Sequence, residues 1–403
     1  MTINSFSRLG TANSYTTAVN NITARENSLS NLQQSLTSGL KINHPGDDPV
    51  GAATAERAMT RMARIQSDQK ALGLQTDAIT SAESTLGSAV TALQTFRQLV
   101  VSAGNPSLTP PDRQTIAQQL TSLRDQVFSL ANTTDSNGNP LFGALGSALA
   151  PFVQQNTPAT YTFNGVAGQS SSGVVSIPAA LDGEKAFMLK PVQDGSFNVT
   201  YGTNAGQTTT GGVTLQPPPA APVTGNDYQI QFGVAGGVMQ YTVTQLSTPA
   251  VVSAPVNYTS GTPITFDGLS LTVTGTPASG DTLNIQANTS VFGVMDKAIS
   301  DIGGAASSLA ASQAVGQALS NIDISINRLQ SARGVAGDLM NRSDVISAAQ
   351  TANSTEAEKN RSSAQDVDLV QATSDFTNQQ TGFSAALKSY AQIQQLSLFS
   401  YIQ

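Results

Sequence analysis

Side chains able to do covalent or metal chemistry are few in this chain and scattered. Its 403 residues include no cysteine and a single histidine, His44. Zero cysteine excludes disulfides, thiolate nucleophiles and cysteine-based zinc sites. His44 stands in a run rich in turn formers, residues 40–49, without a second histidine or a nucleophile to work with. A Ser–His–Asp set needs a histidine base held between two partners, so only carboxylate pairs or lysine-based sites remain. Asp47 and Asp48 are adjacent, as an acid pair or a cation site would require. Asp48, however, has the place of a helix N-cap and Pro49 that of the first helical residue. No other ligand cluster lies nearby, and the remaining Asp and Glu are not gathered by spacing. We read His44 as structural and assign no catalytic, cofactor-binding or metal-ligating residue. The glycine-rich stretches between 151 and 290 lack the strand–loop–helix context and the lysine of a phosphate cradle, and read as loops and turns.

What the spacing does organise is helices. Tyr15, Ile22, Leu29 and Leu36 stand seven residues apart, with Ala18 and Leu32 three places on. Leu369, Phe376, Phe383 and Tyr390 repeat the pattern at the other end, with Ala372, Ala386 and Ile393 at the alternate positions and Gln379 as an interruption. These are a/d seams, which bury one stripe against other helices. Between the ends, Ile65, Leu72, Ile79, Leu86, Leu93 and Val100 hold the same interval, with Ala82, Ala89 and Phe96 at the d positions. From Pro49 this predicts a helix of about 50 residues, a rod on the order of 75 Å. Gly39 is placed to stop the first helix. Thr109, ahead of Pro110 and Pro111, is a candidate cap for a shorter helix carrying Ile116, Leu120, Leu123, Val127 and Leu130. Helical period returns near Val291 and runs through Val315, Leu319, Ile322, Ile326, Leu329 and Ala336. The polar stretch 351–363 is expected to separate that stripe from the final seam.

The middle of the chain has another character. From about 151 to 290, Gly, Thr, Val and Pro dominate and charge is sparse. Tyr228, Ile230, Phe232 and Val234 alternate with polar residues, as do Met239, Tyr241 and Val243, with Gly236-Gly237 between them: a β-hairpin. Ile264 and Phe266, then Asp267-Gly268, then Leu269, Leu271 and Val273 give another, and Leu283 with Ile285 a short strand. Asn137-Gly138 is a hairpin-turn dipeptide. The expected class is α+β: a long antiparallel helical rod built from both chain ends, with an inserted β-rich domain. The expected division is a terminal helical segment, 1–42 with 364–403; a helical shaft, 43–150 with 291–363; and an insertion, 151–290, forming one domain or two small ones.

Composition narrows the partners. Only 11% of residues are charged and the net charge is -7, which argues against nucleic acid. Residues 1–40 contain no apolar run of the length a signal peptide needs, and no run approaches a membrane span. The expectation is a soluble chain, cytoplasmic or exported without a cleaved signal, with no membrane partner.

The run Leu36-Thr37-Ser38-Gly39-Leu40-Lys41-Ile42-Asn43, followed by Asp47-Asp48-Pro49, closely resembles a turn of the flagellin superfamily. Asn132-Thr133-Thr134-Asp135 with Asn137-Gly138 is similar to its next hairpin segment. The ending Leu396-Ser397-Leu398-Phe399-Ser400-Tyr401-Ile402 and Pro49 after two aspartates resemble the hook–filament junction members more than the filament subunits. The resemblance covers residues 10–145 and 290–403 and is absent from the insertion. It implies a secreted structural protein of the bacterial flagellum, exported by the type III-like flagellar route, with the filament subunit as the alternative reading. Its terminal helices would form an inner layer against copies of itself and neighbouring hook-associated and flagellin subunits. A chaperone would hold the C-terminal segment before assembly. The assembly residues are then Tyr15, Ile22, Leu29, Leu36, Leu369, Phe376, Phe383, Tyr390 and Ile393. An adhesin with a helical stalk is a weaker fit, because both ends of the chain return to the same shaft.

Overall fold

A computed structural model describes residues 11–146, 148–155, 160–168, 176–217, 223–248 and 250–399. Three helices come first: α1 (Thr11–Ser38), α2 (Pro49–Ala103) and α3 (Pro110–Ala131). A mixed segment follows with β1 (Phe152–Gln155), β2 (Thr160–Phe163), α4 (Gly183–Phe187) and α5 (Pro191–Asp194). The strands β3 (Phe197–Thr203), β4 (Thr209–Thr210), β5 (Thr214–Leu215), β6 (Tyr228–Ala235), β7 (Val238–Gln245) and β8 (Ala250–Asn257) come next. After β9 (Pro263–Phe266), β10 (Leu269–Thr274) and β11 (Thr282–Ala287), the chain returns to helix in α6 (Val291–Gly303), α7 (Ser308–Gln365) and α8 (Leu369–Phe399). The chain divides into two compact units, Met1–Gln69 with Ala348–Gln403 and Lys70–Ser347.

The caps are chemical and local. Asp48 Oδ1 accepts from the backbone N–H of Val50 (3.1 Å) and Gly51 (2.9 Å), satisfying donors that the first turn of α2 would leave bare. Thr109 and Asp112 form a reciprocal capping box on α3. Gly39 ends α1 at φ +73, a conformation that favours glycine.

In the 70–347 unit the period-seven residues of α2 are the core. Ile79, Ala82, Leu86, Ala89, Leu93, Phe96 and Val100 are fully buried. They pack with Ile322, Leu329 and Ala336 of α7 in one cluster. Cross-ties fix an antiparallel register between the two helices: Thr76 Oγ1 to Ser343 Oγ at 2.5 Å, Glu83 to Arg333, and Arg97 to Asp323 at 2.6 Å. α3 lies on α6, and aromatic rings from distant segments close the same core, Phe152, Phe187 and Phe292 meeting at 5.3–5.7 Å. Beside them, burial pushes the Asp296 carboxyl above its ordinary value. Its oxygens take the Tyr161 hydroxyl at 2.5 Å and lie 3.2 Å from Arg124 Nε.

A second core in the same unit is built by strands. Five run in the order β3-β11-β6-β7-β8, all pairs antiparallel, and β10 pairs with β4, β5 and β9. Both expected hairpins form, with the β6–β7 turn at Gly236-Gly237, where φ is +58 and +80. Phe197, Tyr228, Ile230, Phe232, Leu269, Leu271, Leu283 and Ile285 fill the space between. No lysine, arginine or glutamate occurs from Ser196 to Ser290.

Two features differ from the periodicity reading. The polar stretch 351–363 does not separate two helices, because α7 continues through it to Gln365. Buried Ala357 anchors that turn, and Glu356, Glu358 and Lys359 favour helix while facing solvent. Within 151–290, Phe152, Tyr161, Leu181 and Phe187 belong to the helical core, and the strand core begins at Phe197.

Candidate assembly interface

The unit formed by the two chain ends, residues up to 69 and from 348, is organised by α1 and α8, which pack against each other. Ile22, Leu29 and Leu36 on α1 and Phe376, Phe383 and Tyr390 on α8 are each half-buried. Ala372, at 4% exposure, is the one buried side chain among the described residues of either helix. No described residue of α1 or α8 belongs to either core cluster. Leu369 is 57% exposed and Val370 83%, at the start of α8, so Leu369 is less covered within this chain than the other seam residues. Tyr15 and Ile393 lie on the helices, but their side chains fall outside the described residues.

The geometry explains the half-burial. An a/d seam is narrow, and a single partner helix covers one flank of it. A bundle or a layer of helices covers both. Gln379, the interruption in the α8 seam, accepts from Arg25 Nη1 on α1 at 3.3 Å. The glycine at 382 makes room for that guanidinium: a Cβ there would lie 2.5 Å from Arg25 Nη1. The polar break is thus a paired position that fixes how the two helices slide against each other. Sequence reading missed it because the partners are 354 residues apart.

The chain crosses between helices at a main-chain clamp. Lys41 N–H donates to Gln365 O at 2.8 Å and Val367 N–H to Gly39 O at 2.9 Å. Lys41 Nζ donates to Ser363 O at 2.9 Å. Next to it the two aspartates of the turn divide their work. Asp48 caps α2, and Asp47 Oδ2 accepts the backbone N–H of His44 at 2.8 Å and of Asn43 at 3.1 Å. Those bonds, His44's first, hold the Asp47 carboxyl below its ordinary range. His44 enters through its main chain, as a structural residue does. Gly51 is required by close approach: a Cβ would sit 2.5 Å from both Asp48 Oδ2 and Ile42 Cδ1.

Such an interface is built of apolar stripes and main-chain hydrogen bonds. It offers two half-covered apolar stripes on a clamped stem, and what it can do is accept more helices. Among the described residues no helix is long and apolar enough to cross a membrane.

Comparison with known proteins points the same way. Residues 10–145 match the family model of the bacterial flagellin N-terminal helical region. Residues 202–287 match the flagellar hook-associated protein 1, D2-like domain, a likeness that the sequence reading of the insertion did not find. Flagellar hook-associated protein 3 of Salmonella typhimurium is 34% identical over 149 residues, 36% of this chain and 46% of that protein. The chain spans about half the length of the curated relatives it matches. The crystal structure of the flagellar junction protein FlgL from Legionella pneumophila superposes with a TM-score of 0.60 at 25% identity, covering 72% of this chain and 99% of that one. FlgL of Xanthomonas campestris gives 0.60 at 26%, covering 76% and 99%.

Proposed function

We propose that this chain, whose residues 10–145 match the bacterial flagellin N-terminal helical region, is a structural axial protein of the flagellum, joining hook to filament. The observation that carries this reading is the α1/α8 pair, whose seam residues Ile22, Leu29, Leu36, Phe376, Phe383 and Tyr390 stay half-covered and outside both cores. In assembly they meet the terminal helices of neighbouring copies and of hook-associated and flagellin subunits, and Leu369 finds its cover there. Residues 1–42 with 364–403 form the inner layer, 43–150 with 291–363 the shaft, and 151–290 the outer domain. The protein is secreted, and an export chaperone holds the C-terminal segment until it is placed. The terminal helices cover each other only in part in the free subunit and gain the rest of their order on incorporation, so that ordering provides the switch.

The test is seeded assembly of purified chain on isolated hooks and on filament fragments. A bounded layer on the hook end, on which flagellin then grows, is the expected result. Long filaments made of this chain alone would reassign it as a filament subunit. Shortening the 151–290 insertion leaves joining intact on this reading. Loss of joining by a variant whose shaft still melts as the parent does would count against it.

A further inference from the structure

A second surface, on the first part of α2, carries an unusual charge pattern. Arg57, Arg61 and Arg64 lie on α2, four and three residues apart, and so on one helix face spanning about 10 Å. All three are exposed, and none is in an ion pair among the described residues. Val50, 75% exposed, continues the same face toward the helix start. In a chain with only 19 lysines and arginines and a net charge of -7, three cations on one helix face stand out, with Glu56 beside Arg57 and Asp68 one turn beyond Arg64 as the carboxylates nearest in sequence. Their mutual repulsion is a standing cost unless something anionic covers them.

The 70–347 unit offers such a surface, having a clear excess of carboxylates over cations. Thr76 and Ser343 point at each other across the α2–α7 contact. The next residue on each of two antiparallel helices turns by the same angle to the same side. Asp77 and Asp344 therefore share one face, and both are exposed and outside any ion pair among the described residues. We propose that the arginine stripe of one copy, Arg57, Arg61 and Arg64, docks on the Asp77–Asp344 face of a second copy. The two patches differ, so the contact is heterologous, and repeating it adds copies in one direction. This rests on the reading of the chain as self-assembling. It adds a lateral contact that is electrostatic where the terminal seam is apolar.

The test uses the full-length chain and sedimentation velocity at low and high salt. The wild type should self-associate at about 20 mM NaCl and weaken at least tenfold by about 300 mM, as screening shortens the reach of exposed charges. The triple variant R57E/R61E/R64E and the double variant D77K/D344K should each lose the salt-dependent part, with melting curves unchanged because every site is exposed. An equal mixture of the two should regain it, since each variant's altered patch now complements the other's, and the untouched patches still match. Salt-insensitive or absent self-association of the wild type would overturn the proposal, as would parental association by either variant. Loss in both variants without recovery in the mixture would also overturn it and assign the stripe to a different macromolecule. Failure here is distinguishable from failure of the terminal-helix reading, because substitutions in the α8 seam lower association at every salt concentration.

Discussion

Replacing Phe376 and Phe383 probes the seam directly. Fully burying a phenylalanine gains about 1.5–3 kcal/mol. Each ring is already half-covered by α1 in the free subunit, so assembly has roughly 1 kcal/mol left to gain at each. The double variant Phe376→Ala with Phe383→Ala should therefore bind its neighbours about 30-fold more weakly, the equivalent of roughly 2 kcal/mol. Aspartate at either position goes further, because an unpaired carboxylate must be desolvated on assembly, a cost of several kcal/mol. Phe376→Asp or Phe383→Asp should abolish incorporation altogether. Pelleting of seeded assemblies measures the first effect, and a thermal melt of the free chain supplies the control. Residues 49–350 should melt as in the parent, because neither ring belongs to a core cluster. Normal incorporation by an aspartate variant, or loss of the shaft transition in the free protein, would refute the reasoning.

Gly51→Val should strain the turn between α1 and α2, since even a Cβ meets Ile42 Cδ1 and Asp48 Oδ2 at 2.5 Å. A loss of about 1–3 kcal/mol in chemical denaturation of the terminal unit is expected. Thr109→Ala removes the cap and capping box of α3 and should cost about 1 kcal/mol, read from the urea midpoint. Arg113 is 2% exposed and donates from Nη1 to Ala305 O at 3.2 Å, near the end of α6. Arg113→Ala leaves a cavity and an unmet carbonyl, and should lower the stability of the 70–347 unit by about 2–4 kcal/mol. Asp47 is held below 3.8 by the backbone donors of His44 and Asn43. A depressed carboxylate stabilises the turn above 3.8 and loses that contribution as pH falls through the lower folded value. Protection of the Asn43 and His44 amides, taken relative to their intrinsic exchange rates, should fall in that acid window, and Asp47→Asn should remove the pH dependence of that protection.

Where a physical rule acts over a few residues, the fold was legible. The seam of α2 could be read because burial on one face imposes a period of seven, and every position from Ile79 to Val100 in that series is fully buried. Caps at Asp48 and Thr109 could be read because a turn's first donors need an acceptor close in sequence. The β6–β7 and β9–β10 hairpins could be read from strict alternation around glycine pairs and Asp-Gly. Pairings set by distant residues were not legible. Arg25 and Gln379 look like an exposed cation and a defect until the two helices are laid together. Phe152 and Phe187 sit in a region of strand-like composition, yet they join the helical core through Phe292. Residues 351–363 read only as a polar separator because they are polar almost all round, and the burial of Ala357 shows why helix persists. At the candidate interface, half-burial of the six seam residues followed from a narrow stripe with one partner. The 57% exposure of Leu369 did not, because periodicity says where a stripe lies and not where its cover ends.

The two main-chain bonds joining Gly39 and Lys41 to Val367 and Gln365 have a consequence for the order of events. They hold together points more than 300 residues apart, so wherever they are formed the entropy of closing that long loop is already met for α1 and α8. From there the helices zip outward as a tethered pair, each starting within a few residues of the knot. The register of the two tails is thereby set at their base rather than along their length.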